Sequence, residues 1–322
     1  MTATLTKLAA AAAAALGLAL AGPAWAFPSQ PVKIVVPQTP GGASDTLARV
    51  MAQKLAEKWG QPVVVENRAG AGGNIGMEGV ARATPDGHTL LMSYSGTHAI
   101  NGAHYKKLPF DPVKDFEPVA TLATLPFVVV ARSGSKVGSV PELIEAAKRT
   151  PLTYGSAGNG SVNHLLGVMF SKRTGVTLTH VPYRGAAPAM QDLMAGQIDL
   201  VFTSLPSVAG AIRQGSLRPI ALTSRLRAAA FAGIPTIAEA GFKDFDVNPW
   251  FGLFAPAGTP AAVIRQINAD VNELLKSPDV VEKFTGQGAE PFASDPQRFG
   301  ALLREDITQW TEVVRSSGAS LD

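Results

Sequence analysis

Two glycine-rich stretches carry the residues best suited to hold an anion. Pro40-Gly41-Gly42-Ala43-Ser44-Asp45 lies between an apolar β-branched run and the start of a helical stripe. Its glycines let main chain approach a ligand closely. A helix beginning there offers unpaired N–H donors with a partial positive charge, and Ser44 or Asp45 is placed to cap it. Gly155-Ser156-Ala157-Gly158-Asn159-Gly160-Ser161 repeats the arrangement about 115 residues later, with Ser161 as the capping residue. Either stretch alone reads as an ordinary strand-to-helix turn. If the two face one another, their helix N-termini hold a carboxylate without an arginine, at about 1.5–3 kcal/mol per charged hydrogen bond.

Other candidates for chemistry are weaker. Gly70-Ala71-Gly72-Gly73-Asn74-Ile75-Gly76 has isoleucine where a dinucleotide fingerprint needs its last glycine, and no Walker lysine is present. It reads as a loop that permits close packing, with Asn67 just ahead of it as a possible ligand contact. His98 and His164 sit near Ser95 and Ser161, but no G-x-S-x-G elbow surrounds either serine. His164 falls on the same helical turn as Ser161, where it braces the loop better than it deprotonates a nucleophile. The five histidines lack metal-ligand spacing, and the absence of cysteine removes thiolate nucleophiles and Cys-ligated metals. A hydrolase is therefore disfavoured, and no cofactor or metal is called for.

The elements that must position these loops alternate between strand and helix. Val32–Val36 and Val63–Val65 are apolar at nearly every residue, as strands buried on both faces are. Between them Leu47, Met51, Leu55 and Trp59 form a helical stripe that Gly60 stops. Strands are expected at Leu90–Met92, Phe127–Val130, Leu152–Gly155, Thr179–Tyr183, Ile198–Phe202, Pro219–Thr223 and Trp250–Phe254. Helices are expected at Val162–Thr174, ended by Gly175, and over Ala187–Ala195. Another runs to Lys148 from a Ser139/Glu142 capping box, one is N-capped by Thr259, and the last spans Pro296–Ser316.

Repeating βα units imply an α/β fold with parallel sheets. At 322 residues and 46% apolar the chain has more than one core's worth of material, so two lobes are expected. No flexible linker divides them, which points to crossovers made by strands at Phe127–Ala131 and Trp250–Phe254. The expected division is 27–125 plus 250–322 in lobe 1 and 126–249 in lobe 2. The net charge is only +3 and no basic run produces it, so nucleic acid is not a partner.

Residues 1–26 read as a signal peptide: Lys7, an apolar core over Leu8–Leu20, helix breakers Gly22 and Pro23, then Ala24-Trp25-Ala26 as the cleavage signature. The 13-residue core is too short to span a bilayer, which takes about 20 residues. Cleavage after Ala26 leaves an exported chain of 296 residues, expected to be a monomer.

Several strings together resemble the Bug-type solute receptors, the extracytoplasmic binding proteins of tripartite tricarboxylate transporters. They are Val36-Pro37-Gln38-Thr39-Pro40-Gly41-Gly42-Ala43-Ser44-Asp45, Glu66 to Gly73, Pro85-Asp86-Gly87-His88-Thr89, Tyr154 to Gly158, Val181-Pro182-Tyr183-Arg184-Gly185, and Trp250-Phe251-Gly252-Leu253 with Ala255 to Pro260. In order and spacing the resemblance covers the whole mature chain. It implies a type II Venus flytrap, two α/β lobes with mostly parallel sheets closing on a small carboxylate, and membrane permease subunits as partners. The resemblance assigns Gly41, Gly42, Ser44 and Asp45 to one binding loop. Ser156, Ala157, Gly160 and Ser161 fall in the other, and Asn67, Ser95, Thr97, His164 and Tyr183 line the cleft. Gln38 replaces a common aromatic, and Thr203-Ser204 replaces an aspartate that many members carry. Asp199, at the start of that strand, is expected outside the cleft. Without the aspartate a bound ammonium would lack a counter-charge, so the implied ligand is a carboxylate without a free amine. A ligand-sensing receptor would share the same fold and site.

Overall fold

The computed structural model describes residues 27–105 and 107–317, so the signal-peptide reading of 1–26 lies outside the described residues. In chain order the elements are β1 (Val32–Val36), α1 (Ala43–Trp59), β2 (Val63–Asn67), α2 (Asn74–Ala81), β3 (Thr89–Tyr94), α3 (Ser95–His104), β4 (Phe116–Thr124), β5 (Phe127–Arg132) and α4 (Val140–Arg149). They continue with β6 (Leu152–Ser156), α5 (Val162–Thr174), β7 (Leu178–Pro182), α6 (Ala186–Ala195), β8 (Leu200–Ser204), α7 (Leu205–Arg213) and β9 (Leu217–Leu222). The chain ends with β10 (Trp250–Pro256), α8 (Ala261–Leu274), α9 (Pro278–Thr285), β11 (Glu290–Pro291) and α10 (Pro296–Ser317).

Two sheets result. The first has the order β11-β4-β10-β3-β1-β2 and the second β7-β6-β8-β5-β9. The apolar runs fill both faces, as expected of strands covered by helices on each side. On one face of the first sheet Ile34 and Val36 pack with Leu47, Met51 and Leu55 of α1 and Ile267 of α8. Val35 and Leu91 point the other way, toward Met77 of α2 and Phe299 of α10. The second sheet is sandwiched likewise, by α4 and α5 on one face and by α6 and α7 on the other. The final helix serves both halves: Phe299 and Leu303 belong to the first sheet's core, while Trp310 and Val314 pack with the second's.

The sheets are mixed where mostly parallel ones were expected. β1 pairs parallel with β2 and β3, but β10 runs antiparallel to β3 and β4, and β5 antiparallel to β8 and β9. These reversed strands are the ones by which the chain enters a new sheet. A crossover from the other lobe is not bound by the right-handed βαβ geometry that makes neighbours parallel.

Local signals placed most element ends. Gly60 and Gly175 take left-handed backbone at the C-caps of α1 and α5. Ser139 Oγ accepts the Glu142 N–H, although Glu142 reaches back to the N–H of Gly138 instead of that of Ser139. Thr259 does not cap α8. Pro260 is its N-cap, and the Thr259 hydroxyl donates to the Pro256 carbonyl.

Candidate functional site

The two glycine loops fold by one local rule. Gly42 is the N-cap of α1 and Ser161 that of α5. The glycine just before each cap is left-handed, with φ +86° at Gly41 and +71° at Gly160. Each of these glycines donates its N–H to the side chain at the third helical position. Gly41 N–H goes to Asp45 Oδ2 at 2.9 Å, and Gly160 N–H to His164 Nδ1 at 3.0 Å. This resembles the reciprocal half of a capping box. It corrects the expectation that Ser44 or Asp45 occupies the N-cap of α1, and it engages the Gly41 and Gly160 amides within their own loops. The amides left without helical partners are those of the first turns, from Ala43 and Ser44 in α1 and from Val162 and Asn163 in α5.

A cavity of about 550 Å³ lies between the two sheets' loop ends and is walled by those first-turn residues. Of the residues expected at the site, Gln38, Gly42, Ser44, Thr97, Ala157, Gly160, Ser161 and Thr203 line it. It is built at the starts of six helices: Gly73 at α2, Gly96 and Thr97 at α3, Gly185 and Ala186 at α6, and Ser204 and Ser207 at α7 join the α1 and α5 loops. Its floor is aromatic, with Tyr94 stacked on Phe251 at 5.2 Å between centroids and Phe127 beside them on the wall. Among these lining residues no carboxylate occurs, and Arg184 is the one guanidinium. Arg184 is exposed and has no ion-pair partner among the described residues. Helix N-termini and an arginine around one apolar-floored space make a site for an anion.

The remaining expected residues stand behind this wall. Asp45 is buried and paired with Arg49 at 2.9 Å, while Asn67 donates to Asp45 Oδ1 at 3.0 Å and to the Gln38 carbonyl at 3.1 Å. Burial opposes its ionisation, but Arg49, the Gly41 N–H and Asn67 together hold the Asp45 carboxyl below the usual range. Ser156 Oγ bonds His180 Nε2 at 2.6 Å and the Gly158 N–H, and His164 stacks on His180 at 3.9 Å. Burial, helped by His164, lowers His180 to about 4. The Tyr183 hydroxyl is turned away to Asp192 Oδ2 at 2.7 Å. Ser95 points into a separate cavity of about 170 Å³ with Asn248, Asp306 and Trp310. These side chains fix the loops; a one-residue change of facing separates lining from support.

Glycine packing brings the third stretch to the wall. A Cβ on Gly76 would lie 2.8 Å from the Arg68 carbonyl and from Pro37 Cβ. The absence of side chains there lets α2 press on the first loop, as read from the sequence, and Asn101 ties the stretch down through the Gly72 carbonyl at 3.0 Å. Sequence reasoning missed Tyr94, Asn101, Tyr105, Arg184 and Phe251. The signal for Arg184 was available: Arg184-Gly185 is another strand–glycine–helix junction in the same lobe. Asp199 lies outside the cavity as expected, its Oδ2 accepting from Thr153 N–H at 2.8 Å.

Two sandwiched sheets with helix N-termini converging on a space between them are the architecture of the two-lobed solute-binding class. The sequence agrees: the chain belongs to the tripartite tricarboxylate transporter family receptors, whose family profile matches residues 47–319. It is 39% identical to Protein BugT of Bordetella pertussis over 311 residues, covering 96% of this chain and 95% of that one. Among solved structures, R. palustris Rpa4515 with adipate is 37% identical, with a TM-score of 0.86 over 92% of this chain and 100% of that one. MatC (Rpa3494) from Rhodopseudomonas palustris with bound malate is 35% identical, with a TM-score of 0.80 over 89% and 100%. The periplasmic binding protein BugD is 34% identical, with a TM-score of 0.82 over 91% of this chain and 99% of that one, and no helix among the described residues is long and apolar enough to cross a membrane.

Proposed function

We propose that this chain, exported and cleaved after Ala26, captures a small organic carboxylate lacking a free amine and delivers it to the membrane subunits of a tripartite transporter. One observation carries the reading: six helix N-termini and Arg184 meet around a 550 Å³ cavity that no carboxylate lines. The donors come from both proposed lobes, 27–125 with 250–322 and 126–249. An anion bridging them gains contacts from the second lobe only when the lobes are together, so it shifts the population toward closure. Micromolar affinity, about −8 kcal/mol, needs only a few charged hydrogen bonds net of ordering costs. Two structural neighbours with adipate and malate bound support a carboxylate ligand here.

Rejection of amines follows from the same wall. An ammonium among helix N-termini meets repulsion and finds no counter-ion, since Asp45 is engaged by Arg49 and Asp199 lies elsewhere. Native mass spectrometry of freshly purified protein identifies a co-purified acid by mass, and calorimetry then compares amine-free acids with their amino-acid counterparts. Tighter binding of the amino acids overturns the amine-free assignment. Absence of any carboxylate ligand overturns the reading as a whole.

A further inference from the structure

The two lobes meet at more places than their crossover strands. At the cavity, a Cβ on Gly96 in the first turn of α3 would lie 2.3 Å from Val162 Cγ2 at the start of α5, so the lobes touch there. A second contact runs along the flank, on α7. Leu205, Val208 and Ala209 of that helix belong to the second sheet's core, whereas Val280, Phe284 and Ala289, in and just after α9, belong to the first's. At the near end of the contact Gly288 leaves room for Leu205, whose Cδ2 would lie 2.5 Å from an added Cβ. At the far end Arg213 Nη2 donates to the Gly286 carbonyl at 2.6 Å. Gly286 is the C-cap of α9, so this carbonyl is among the helix's free acceptors and lies at the negative end of its dipole. The guanidinium rests over the Phe231 ring of its own lobe at 4.7 Å, which steadies it for the reach.

We propose that Arg213 is a positioning residue for capture: its bond to the Gly286 carbonyl latches the lobes together, so a side chain remote from the cavity governs how long a bound acid is held. The inference rests on the reading of this cavity as a site that closes on its ligand. The two ends of the flank contact differ in how far they travel when the lobes part. The Leu205 N–H donates to the Pro126 carbonyl at 3.1 Å, beside the Phe127 crossover, so the start of α7 lies near the axis of any rotation. Arg213 ends the same helix, about 12 Å further along at 1.5 Å per residue. A rotation that barely shifts Leu205 therefore carries Arg213 off Gly286, and a hydrogen bond does not survive an extra ångström of separation. Arg213 is not among the residues lining the cavity. It acts only through the balance of open and closed states, to which any contact made in one state alone contributes.

The chain has no cysteine, so spin labels can be placed by substitution alone, at Val64→Cys on β2 and Met194→Cys on α6, both exposed and one in each lobe. Label-to-label distances are measured without ligand and with adipate or malate, in this background and with Arg213→Met added. Methionine keeps the apolar stem and removes the donors. Arg213→Met is expected to enlarge the population at longer separation and to speed dissociation of a bound acid by about three- to tenfold, with association within about twofold of native. Lys172→Met removes the same charge from the last turn of α5 and should match native protein in both readouts. Separations and dissociation rates that stay native in Arg213→Met overturn the latch while leaving the carboxylate reading standing. An equal change in Lys172→Met overturns it too, since the effect then belongs to the charge and not to the bond. If neither acid binds, the carboxylate reading loses its support and the ligand-free distances decide the latch: longer separations in Arg213→Met uphold it, and superimposed distributions end it.

Discussion

Gly42→Val separates the two things a glycine in the first loop can do. Gly42 has φ −80° and ψ 173°, extended backbone that any residue adopts. The sole heavy atom within 4 Å of an added Cβ, outside its chain neighbours, is the Thr39 carbonyl oxygen at 3.8 Å, an ordinary contact. The substitution therefore strains nothing. It exchanges a favourable N-cap for a poor one, at about 1 kcal/mol or less once the restricted unfolded chain is counted. The new methyls stand on the cavity wall beside the free amides of Ala43 and Ser44. Denying a carboxylate two charged hydrogen bonds at about 1.5–3 kcal/mol each costs at least about 3 kcal/mol, a hundredfold or more in Kd. Gly41→Val is the contrasting control. At φ +86° a Cβ is strained by about 1–2 kcal/mol and the N–H to Asp45 is disturbed, so stability and binding fall together. The assay pairs urea denaturation with calorimetry on the co-purified acid. A Gly42→Val protein of native stability that binds within threefold of native would refute the amide-nest reasoning.

Three other outcomes follow from the same geometry. Arg184→Gln should weaken binding by no more than about fivefold at low ionic strength and by almost nothing at high salt, since an exposed, screened charge contributes about 1 kcal/mol or less; a hundredfold loss in calorimetry would move the main anchor from the amides to Arg184. Gly76→Ala forces a Cβ to 2.8 Å from the Arg68 carbonyl and Pro37 and should cost about 1–3 kcal/mol in urea denaturation, with an unchanged midpoint counting against the close-packing account. Asp306→Asn should expose an acid weakness that the native chain masks. Burial pushes Asp306 up to about 6 against the pull of Trp250 and Ser95, so its contribution is full below pH 3.8 and lost as pH rises to 6. Burial lowers His98 and His180 to about 4, so theirs is full above pH 6.5 and lost as pH falls to 4. The slopes oppose between pH 4 and 6; with Asp306 neutralised, urea midpoints should fall more steeply over that range than in native protein, and equal slopes would contradict the balance.

Much of the fold was legible because its signals are local. Helix α5 was bounded correctly by a serine that caps it and a glycine that ends it, and both act within one turn of where they sit. Strand direction was not legible, because β5 and β10 are reversed by which lobe the chain has just left. Strand β8 starts at Leu200, two residues later than read, since Asp199 is turned to hold Thr153. The two loops that wall the cavity were legible for the same local reason, as strand–glycine–helix junctions. Which side chains reach the cavity was not, because that depends on the facing of each residue. Tyr183 continues the pairing of β7 beside β6, with its N–H on the Ser156 carbonyl, and so turns its hydroxyl to Asp192 while Arg184 is left on the wall.

On the proposed carboxylate reading, a site built from helix starts instead of arginines has consequences for capture and release. Amide donors do not titrate and lose no side-chain freedom on binding, so the affinity they give depends little on pH and salt. What it depends on is how many of them reach the ligand at once. With α1, α2 and α3 on one sheet's side and α5, α6 and α7 on the other's, parting the sheets removes half the donors. If each side supplies two charged hydrogen bonds of about 1.5–3 kcal/mol, opening weakens binding by about 3–6 kcal/mol, or roughly a hundredfold to ten-thousandfold. A receptor of micromolar affinity when closed then holds its ligand only at about 0.1–10 mM when open. The membrane partner proposed above would then need no competing site of its own to empty this one, only to pry the lobes apart.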